Sequence, residues 1–173
     1  GPDHLIPELK RYDNLQGALW VGVDRGTFTI LDQGIKASYG FGDFDSVSAK
    51  EKEHILNSDI ILNEYQSEKD QTDMQLALQW ALEQNPEEIL LFGATGGRLD
   101  HEMMNIQLLF RSITSNTEAK VIDIKNEISL KLPGEYSIQH DNNYTYVSFL
   151  AFKDEVRGIT LKGFKYPLQK ASL

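Results

Sequence analysis

The chain has 173 residues, 40% of them hydrophobic and 25% charged, proportions that fit one soluble globular domain, or one domain with a small appendage, and exclude a disordered chain. Its 17 Lys and Arg against 26 Asp and Glu leave a formal charge of −9, which argues against a protein that grips nucleic acid and, more weakly, against binding to anionic membranes. With no cysteine there is no disulfide, no thiol nucleophile and no Cys-ligated metal, and with no apolar run near about 18 residues and no visible signal peptide the expectation is a soluble, cytoplasmic protein.

The chain opens on Gly1-Pro2 without an initiator methionine, and both ends are read as open. Leu19 to Val23 is a short apolar run ending at Asp24. Arg25 to Asp32 then reads as a helix with Gly34 as its stop. Ser38 to Phe41 is a second strand, ending at the turn Gly42-Asp43-Phe44-Asp45-Ser46. Ser48-Ala49-Lys50-Glu51 is a capping-box sequence that predicts a helix from Ala49 to Leu56. Ile60 to Leu62 is a third strand, followed by a polar loop from Glu64 to Gln71. Thr72 then reads as the N-cap of a helix whose Met74, Ala77, Leu78, Ala81 and Leu82 share one face, and Asn85-Pro86 ends it. Glu88 to Phe92 is a fourth strand, Gly93-Ala94-Thr95-Gly96-Gly97 a Gly-rich turn, and Asp100 to Phe110 a helix that looks apolar on several sides.

After Thr117 the pattern changes. Lys120–Ile124, Ile128–Leu132, Tyr136–Gln139, Thr145–Phe152 and Ile159–Lys162 read as strands with turns between them. The last residues, Ala171-Ser172-Leu173, carry no closing strand or helix signal. The expectation is an α/β protein: residues 1–118 a parallel, doubly wound α/β domain, and residues 119–173 a small antiparallel β-sandwich or half-barrel, unfinished at its C-terminus.

In such a sheet every strand-to-helix loop emerges at one edge, where ligands bind. Those loops carry Asp24; Asp43 and Asp45; Asp70 and Asp73; then Arg98, Asp100 and His101. Each has a bland reading. Asp24 suits a turn, Asp100 an N-cap, Thr72 and Asp73 a helix start, and Gly96-Gly97-Arg98 a tight turn. Caps do not account for Asp70, or for two carboxylates in one Asp-x-Asp turn. Two like charges about 4 Å apart repel by about 4 kcal/mol at an effective dielectric of about 20, so this rim calls for a cation. Aspartate oxygens without a His or Cys cluster suit a hard ion such as Mg²⁺, which usually brings a phosphate-bearing substrate. Gly93, Gly96 and Gly97 let backbone N–H groups approach phosphate oxygens at a helix N-terminus, and Arg98 adds a cationic fork. The turn is neither a Walker A loop nor a GxGxxG. His4, His54 and His140 read as surface residues, Trp20 and Trp80 as packing, and Tyr144–Phe149 as a half-buried strand.

Val23-Asp24-Arg25-Gly26, Gly42-Asp43-Phe44-Asp45-Ser46, Lys69-Asp70-Gln71-Thr72-Asp73 and Gly93-Ala94-Thr95-Gly96-Gly97-Arg98-Leu99-Asp100-His101, in this order and spacing, resemble the thiamine pyrophosphokinase family. Gly163-Phe164-Lys165-Tyr166-Pro167-Leu168 resembles the start of that family's C-terminal β segment. The resemblance covers nearly the whole chain. It implies transfer of the pyrophosphoryl group of ATP to the hydroxyl of thiamine, releasing AMP and thiamine diphosphate, with Mg²⁺, in a homodimer with active sites between subunits. By motif, Asp43, Asp45 and Asp70 would hold Mg²⁺ with Asp73 nearby. Gly96, Gly97 and Arg98 would face the ATP phosphates. Asp24, Arg25 and Thr72 fall on the nucleotide side, and Asp100 would orient or deprotonate the thiamine hydroxyl. The family's β segment beyond the one matching Leu173, which helps bind the thiamine ring, has no counterpart in this sequence. Two alternatives stay open: another Mg²⁺-dependent nucleotidyl- or glycosyltransferase using the Asp-x-Asp, and a non-catalytic thiamine- or nucleotide-binding module.

Overall fold

The structure, a computed structural model, describes the whole chain except Gln16 and residues 65–69; most of the expected polar loop, with Lys69, therefore lies outside the described residues. The chain forms two compact units, Gly1–Pro133 and Gly134–Leu173.

The first unit opens with a 3₁₀ turn at Asp3–Leu5 and a four-residue helix, α1 (Lys10–Asp13), neither foreshadowed by periodicity because both are shorter than one repeat of an apolar face. The expected alternation follows: β1 (Val21–Val23), α2 (Arg25–Asp32), β2 (Tyr39–Gly42), α3 (Ala49–Leu56), β3 (Ile61–Glu64), α4 (Asp73–Glu83), β4 (Glu88–Phe92) and α5 (Leu99–Thr114). Then come β5 (Glu118–Ile122) and β6 (Glu127–Ser129). The strands divide between two sheets. β1, β2 and β3 run parallel in that order, while β5 pairs parallel with β4 on one edge and antiparallel with β6 on the other. β5 and β6, whose pattern groups them with the later strands, thus complete an α/β sheet in the first unit. A hairpin signal at Asp123–Asn126 is the same whether the hairpin edges an α/β sheet or begins an all-β domain. Only burial separates the two, and Ala119 and Val121 are buried with Leu91, Ala94 and Leu109 of the α/β layer.

Local chemistry explains the helix ends. The Ser48 hydroxyl accepts from the Glu51 amide at 3.3 Å, and the Glu51 carboxylate accepts from the Ser48 amide at 2.7 Å. Thr72 and Gln75 make the same reciprocal pair at 3.3 and 2.8 Å. Each such box is worth about 1 kcal/mol. Asn85 and Asn116, both at positive φ, stop α4 and α5 in the left-handed conformation that Asn tolerates. α4 buries Ala77 and Leu78; its Trp80 ring lies 4.4 Å from Tyr39 and 5.6 Å from Phe41, the packing role its position suggests. Met74 of the same helix packs on the second-sheet cluster, so α4 serves both sheets. Trp20 stacks 6.0 Å from Phe92. α5 is less buried than its composition implies. Leu108, Leu109 and Ser112 are covered, whereas Leu99 is 70% exposed.

In the second unit β7 (Arg157–Leu161) and β8 (Leu168–Ser172) form an antiparallel pair, extended by mutual Val156–Leu173 backbone bonds of 3.0 and 2.9 Å. β8 corrects the expectation that no strand closes the chain: polar Gln169 and Lys170 hide its period, and pairing with β7 makes it. The strands expected at Tyr136–Gln139 and Thr145–Phe152 do not form. Alternation decides which residues would share a face, but a strand also needs a neighbouring edge for its N–H and C=O groups. Here β7 and β8 pair with each other, and Tyr146 and Leu150 stay 86% and 88% exposed. Phe149 meets Phe164 edge-on at 5.7 Å.

α2 leans directly on β1: a Cβ at Gly22 would lie 2.4 Å from Thr27 Cα and 2.3 Å from its hydroxyl, while one at Gly26 meets nothing within 4 Å. Gly22→Ala should therefore cost about 3 kcal/mol in urea unfolding because backbone must move, whereas Gly26→Ala, in helix, should be neutral or stabilise by up to about 1 kcal/mol.

Candidate active site

The chain passes from β1 to α2 through one residue, Asp24. Its φ is +48° with ψ −127°, a region glycine fills and other residues enter at a cost of about 1–3 kcal/mol. The strained backbone aims the carboxylate at the end of β2. A Cβ on Gly42 would fall 2.0 Å from Asp24 Oδ1, and the Asp24 amide donates to the Phe41 carbonyl at 2.8 Å. Two residues on, Phe44 also has positive φ, +56°, with its ring 3% exposed. Burial of that ring holds the strained turn, which leaves Asp43 half-buried and Asp45 exposed on either side. Asp43 Oδ1 accepts from the Asp45 amide at 3.0 Å. Neither Asp24 nor Phe44 is a helix-stopping Asn, so their strain sits where adjacent parallel strands deliver three carboxylates to one rim.

The other expected residues are placed as follows. Asp70 is exposed in the bend before α4, and Asp73 is half-buried in its first turn; the Thr72 hydroxyl is used as the cap described above. Arg25 bridges three elements. Its guanidinium meets Asp3 at 2.9 and 3.1 Å and Glu51 at 3.0 Å, and the Asp3 and Glu51 carboxylates hold it protonated above its ordinary range. Arg98 and Asp100, both exposed, form a bidentate pair of 3.2 and 2.6 Å. The guanidinium holds the Asp100 carboxyl below its ordinary value. His101 is exposed beside them.

The Gly-rich loop between β4 and α5 is held by residues that the motif reading did not single out. The Asn105 side chain donates to the Ala94 carbonyl at 2.9 Å, and the Gly96 amide donates to Glu102 Oε2 at 2.8 Å. The Thr95 hydroxyl donates to Asp123 Oδ2 at 2.7 Å. Gly96 has φ +74°, the conformation that favours glycine, and a Cβ there would displace the Leu5 side chain, whose Cδ1 would lie 2.1 Å away. Asp123 caps the β5–β6 turn through Oδ1, which accepts from the Lys125 and Asn126 amides at 2.7 Å each. Its sequence signal, an Asp two and three residues before the amides it caps, is that of any Asx turn, and only the fold brings it under the loop.

The donors at the rim are carboxylate oxygens, the chemistry of a hard divalent cation. Among the described residues no three His, Asp or Glu side chains lie close enough to form a cage. Mg²⁺ does not need one, since it usually keeps several waters and takes one or two carboxylates together with substrate phosphates. The side chains present fit such an open site.

Residues 14–122 match the family model described as the catalytic domain of thiamin pyrophosphokinase, and residues 135–173 match the one described as its vitamin B1 binding domain. The chain belongs to the thiamine pyrophosphokinase family. Over 173 residues it is 47% identical to the thiamine pyrophosphokinase of Bacillus subtilis (strain 168), spanning 100% of this chain and 80% of that protein. It is similar to the crystal structure of thiamine pyrophosphokinase from Bacillus subtilis, with a TM-score of 0.94 and 44% identity over 100% of this chain and 80% of that one. It is also similar to the crystal structure from Geobacillus thermodenitrificans, with a TM-score of 0.91 and 41% identity over 100% and 79%. Membership makes the chain an enzyme. The vitamin-binding match falls within the second compact unit, and the catalytic match within the first. Among the described residues no helix is long and apolar enough to cross a membrane.

Burial pushes the Asp123 carboxyl up, but the Thr95 hydroxyl and the Lys125 and Asn126 donors outweigh it and hold the group below its ordinary value. A lowered folded-state pKa stabilises above the unfolded value of about 3.9 and loses that contribution as pH falls through the folded one. Asp123→Ala should cost about 2–3 kcal/mol at pH 7 by urea unfolding, for it leaves several donors unmatched. Below about pH 4 the difference between wild type and Asp123→Ala should shrink.

Proposed function

We propose that the chain transfers the pyrophosphoryl group of ATP to the hydroxyl of thiamine, giving thiamine diphosphate and AMP, with Mg²⁺ as the required cation. Family membership supports the overall reaction. The observation that carries the site is the strained juncture at which Asp24 abuts Gly42 and the Asp43-Phe44-Asp45 turn. Strain held by burial at an acidic rim suits a ligand-binding role better than a stabilising one.

In this reading the cation would be held from the set Asp43, Asp45 and Asp70, by one or two carboxylates at a time together with waters and substrate phosphates, with Asp73 nearby. Bound Mg²⁺ supplies neutralisation of the charge that spreads over the transferring phosphoryl oxygens. Gly97, and Gly96 once its amide leaves Glu102, present backbone N–H groups to those oxygens, and Arg98 a guanidinium fork. Thr72 and Asp24 lie on the nucleotide side, and Arg25 sets the first turn of α2 there through Asp3 and Glu51. Asp100 orients the thiamine hydroxyl. Its pairing with Arg98 lowers its basicity, which suits orientation better than proton removal, and a loose transition state asks little of a base. Residues 135–173 serve thiamine recognition, consistent with their match to a vitamin B1 binding domain. We further propose a cytoplasmic homodimer, on the family resemblance.

Phosphorus NMR of the protein with ATP, Mg²⁺ and thiamine should show AMP and thiamine diphosphate appearing in equal amounts, and EDTA should stop both. Pyrophosphate or a nucleoside diphosphate in their place would assign another group transferase. Asp43→Asn and Asp45→Asn should each lower kcat at least about 100-fold from lost charge stabilisation, with unfolding midpoints close to wild type; full activity in both would remove them from the site. Arg98→Ala should raise KM for ATP well beyond any change for thiamine.

A further inference from the structure

Asp123 is the one charged residue among the buried described residues, 4% exposed, and its partner Thr95 is 5% exposed. A β-turn cap does not require a buried charge, because asparagine caps the same turn without the desolvation cost. The charge has a second use. Oδ1 closes the turn with the Lys125 and Asn126 amides, and the Asn126 side chain donates to both oxygens at 3.2 Å. Oδ2 accepts from Thr95 across 28 residues of sequence. A hydrogen bond to an ionised acceptor is about twice as strong as a neutral one, and this one ends inside the Gly-rich loop.

That loop contains Gly93, Gly96 and Gly97, two of them at positive φ. Glycines give the backbone the shape a phosphate site needs, but also the freedom to leave it. Of the four tethers, the Gly1 amine bond to the Gly93 carbonyl and the Glu102 bond to Gly96 are exposed and the Asn105 bond to Ala94 is partly so, whereas the Thr95–Asp123 bond is buried. Phe92 and Ile122 face each other in the β4–β5 register, so Asp123 springs from the strand end beside the loop. We propose that Asp123 is a positioning residue that, through the Thr95 hydroxyl, fixes the Gly96-Gly97 backbone for ATP phosphates and thereby sets affinity for ATP without touching thiamine binding. This rests on the reading of the loop as the phosphate site.

The test uses the full chain and three variants, Thr95→Val, Thr95→Ser and Asp123→Asn, with two measurements. Steady-state kinetics should show Thr95→Val raising KM for ATP by about 10-fold or more while KM for thiamine stays within about 2-fold. Thr95→Ser, which keeps the hydroxyl, should restore KM for ATP to within about 3-fold of wild type. Asp123→Asn, which keeps the turn cap and loses the charge, should move KM for ATP in the same direction by a smaller factor, and it decides the matter if Thr95→Val does not fold. Equal changes in both KM values, or a Thr95→Ser variant as impaired as Thr95→Val, would overturn the proposal. Amide hydrogen exchange without nucleotide gives a readout independent of turnover. Gly96 and Gly97 should exchange at least about 5-fold faster in Thr95→Val while β4 and β5 amides keep their rates. Unchanged exchange at the two glycines overturns the positioning role. If wild-type protein makes no thiamine diphosphate from ATP, the functional reading fails, and exchange alone still decides whether the tether holds the loop.

Discussion

The first unit turns on a carboxylate packed against a glycine. Asp24 Oδ1 lies where a side chain on residue 42 would have to begin. That contact needs β1 and β2 side by side and parallel, a one-residue passage from β1 into α2, and a strained conformation at Asp24. The helix cap gains nothing from it, since the Asp24 side chain makes no cap bond to α2. The arrangement costs stability and gathers carboxylates at one rim, which is what the proposed cation and phosphate chain would offset.

The rest of the first unit can be seen as support for that juncture and for the Gly-rich loop. α2 is pressed on β1 through Gly22 and Thr27 and tied to α3 through Arg25 and Glu51. Phe44 is anchored in the core, so its turn cannot relax. α4 packs Trp80 on β2 and Met74 on the β4–β5 cluster, giving the two sheets a shared wall. On the second sheet the β5–β6 turn reaches up through Asp123 to hold Thr95. Rigid strand ends thus carry a set of loops whose own composition, rich in Gly and Asp, would leave them loose.

Two described guanidinium groups at this edge are paired. Arg98 is held by Asp100, and Arg25 by Asp3 and Glu51. Among exposed groups such pairs add little stability. They do fix the direction of planar guanidinium groups, which matters for recognising phosphate oxygens. The same pairing depresses the basicity of Asp100, so one contact bears on two proposed roles.

Sequence alone determined the elements whose signals are local. Capping boxes at Ser48 and Thr72, the stop at Asn85, and the strand from Glu88 to Phe92 each depend on residues within a few positions of one another, and the fold reproduces them. The acidic motifs and their family resemblance were also legible, because the chemistry resides in residue type and spacing. Tertiary structure decided everything that needs a distant partner. β5 and β6 joined the α/β sheets because β4 offered an edge and Leu91 and Leu109 a core. The alternating stretch at Thr145–Phe152 found no such edge and stayed out of a sheet. Asp123 became part of the candidate site only when strand pairing brought it beneath Thr95, since no local pattern encodes a hydrogen bond between residues 28 apart.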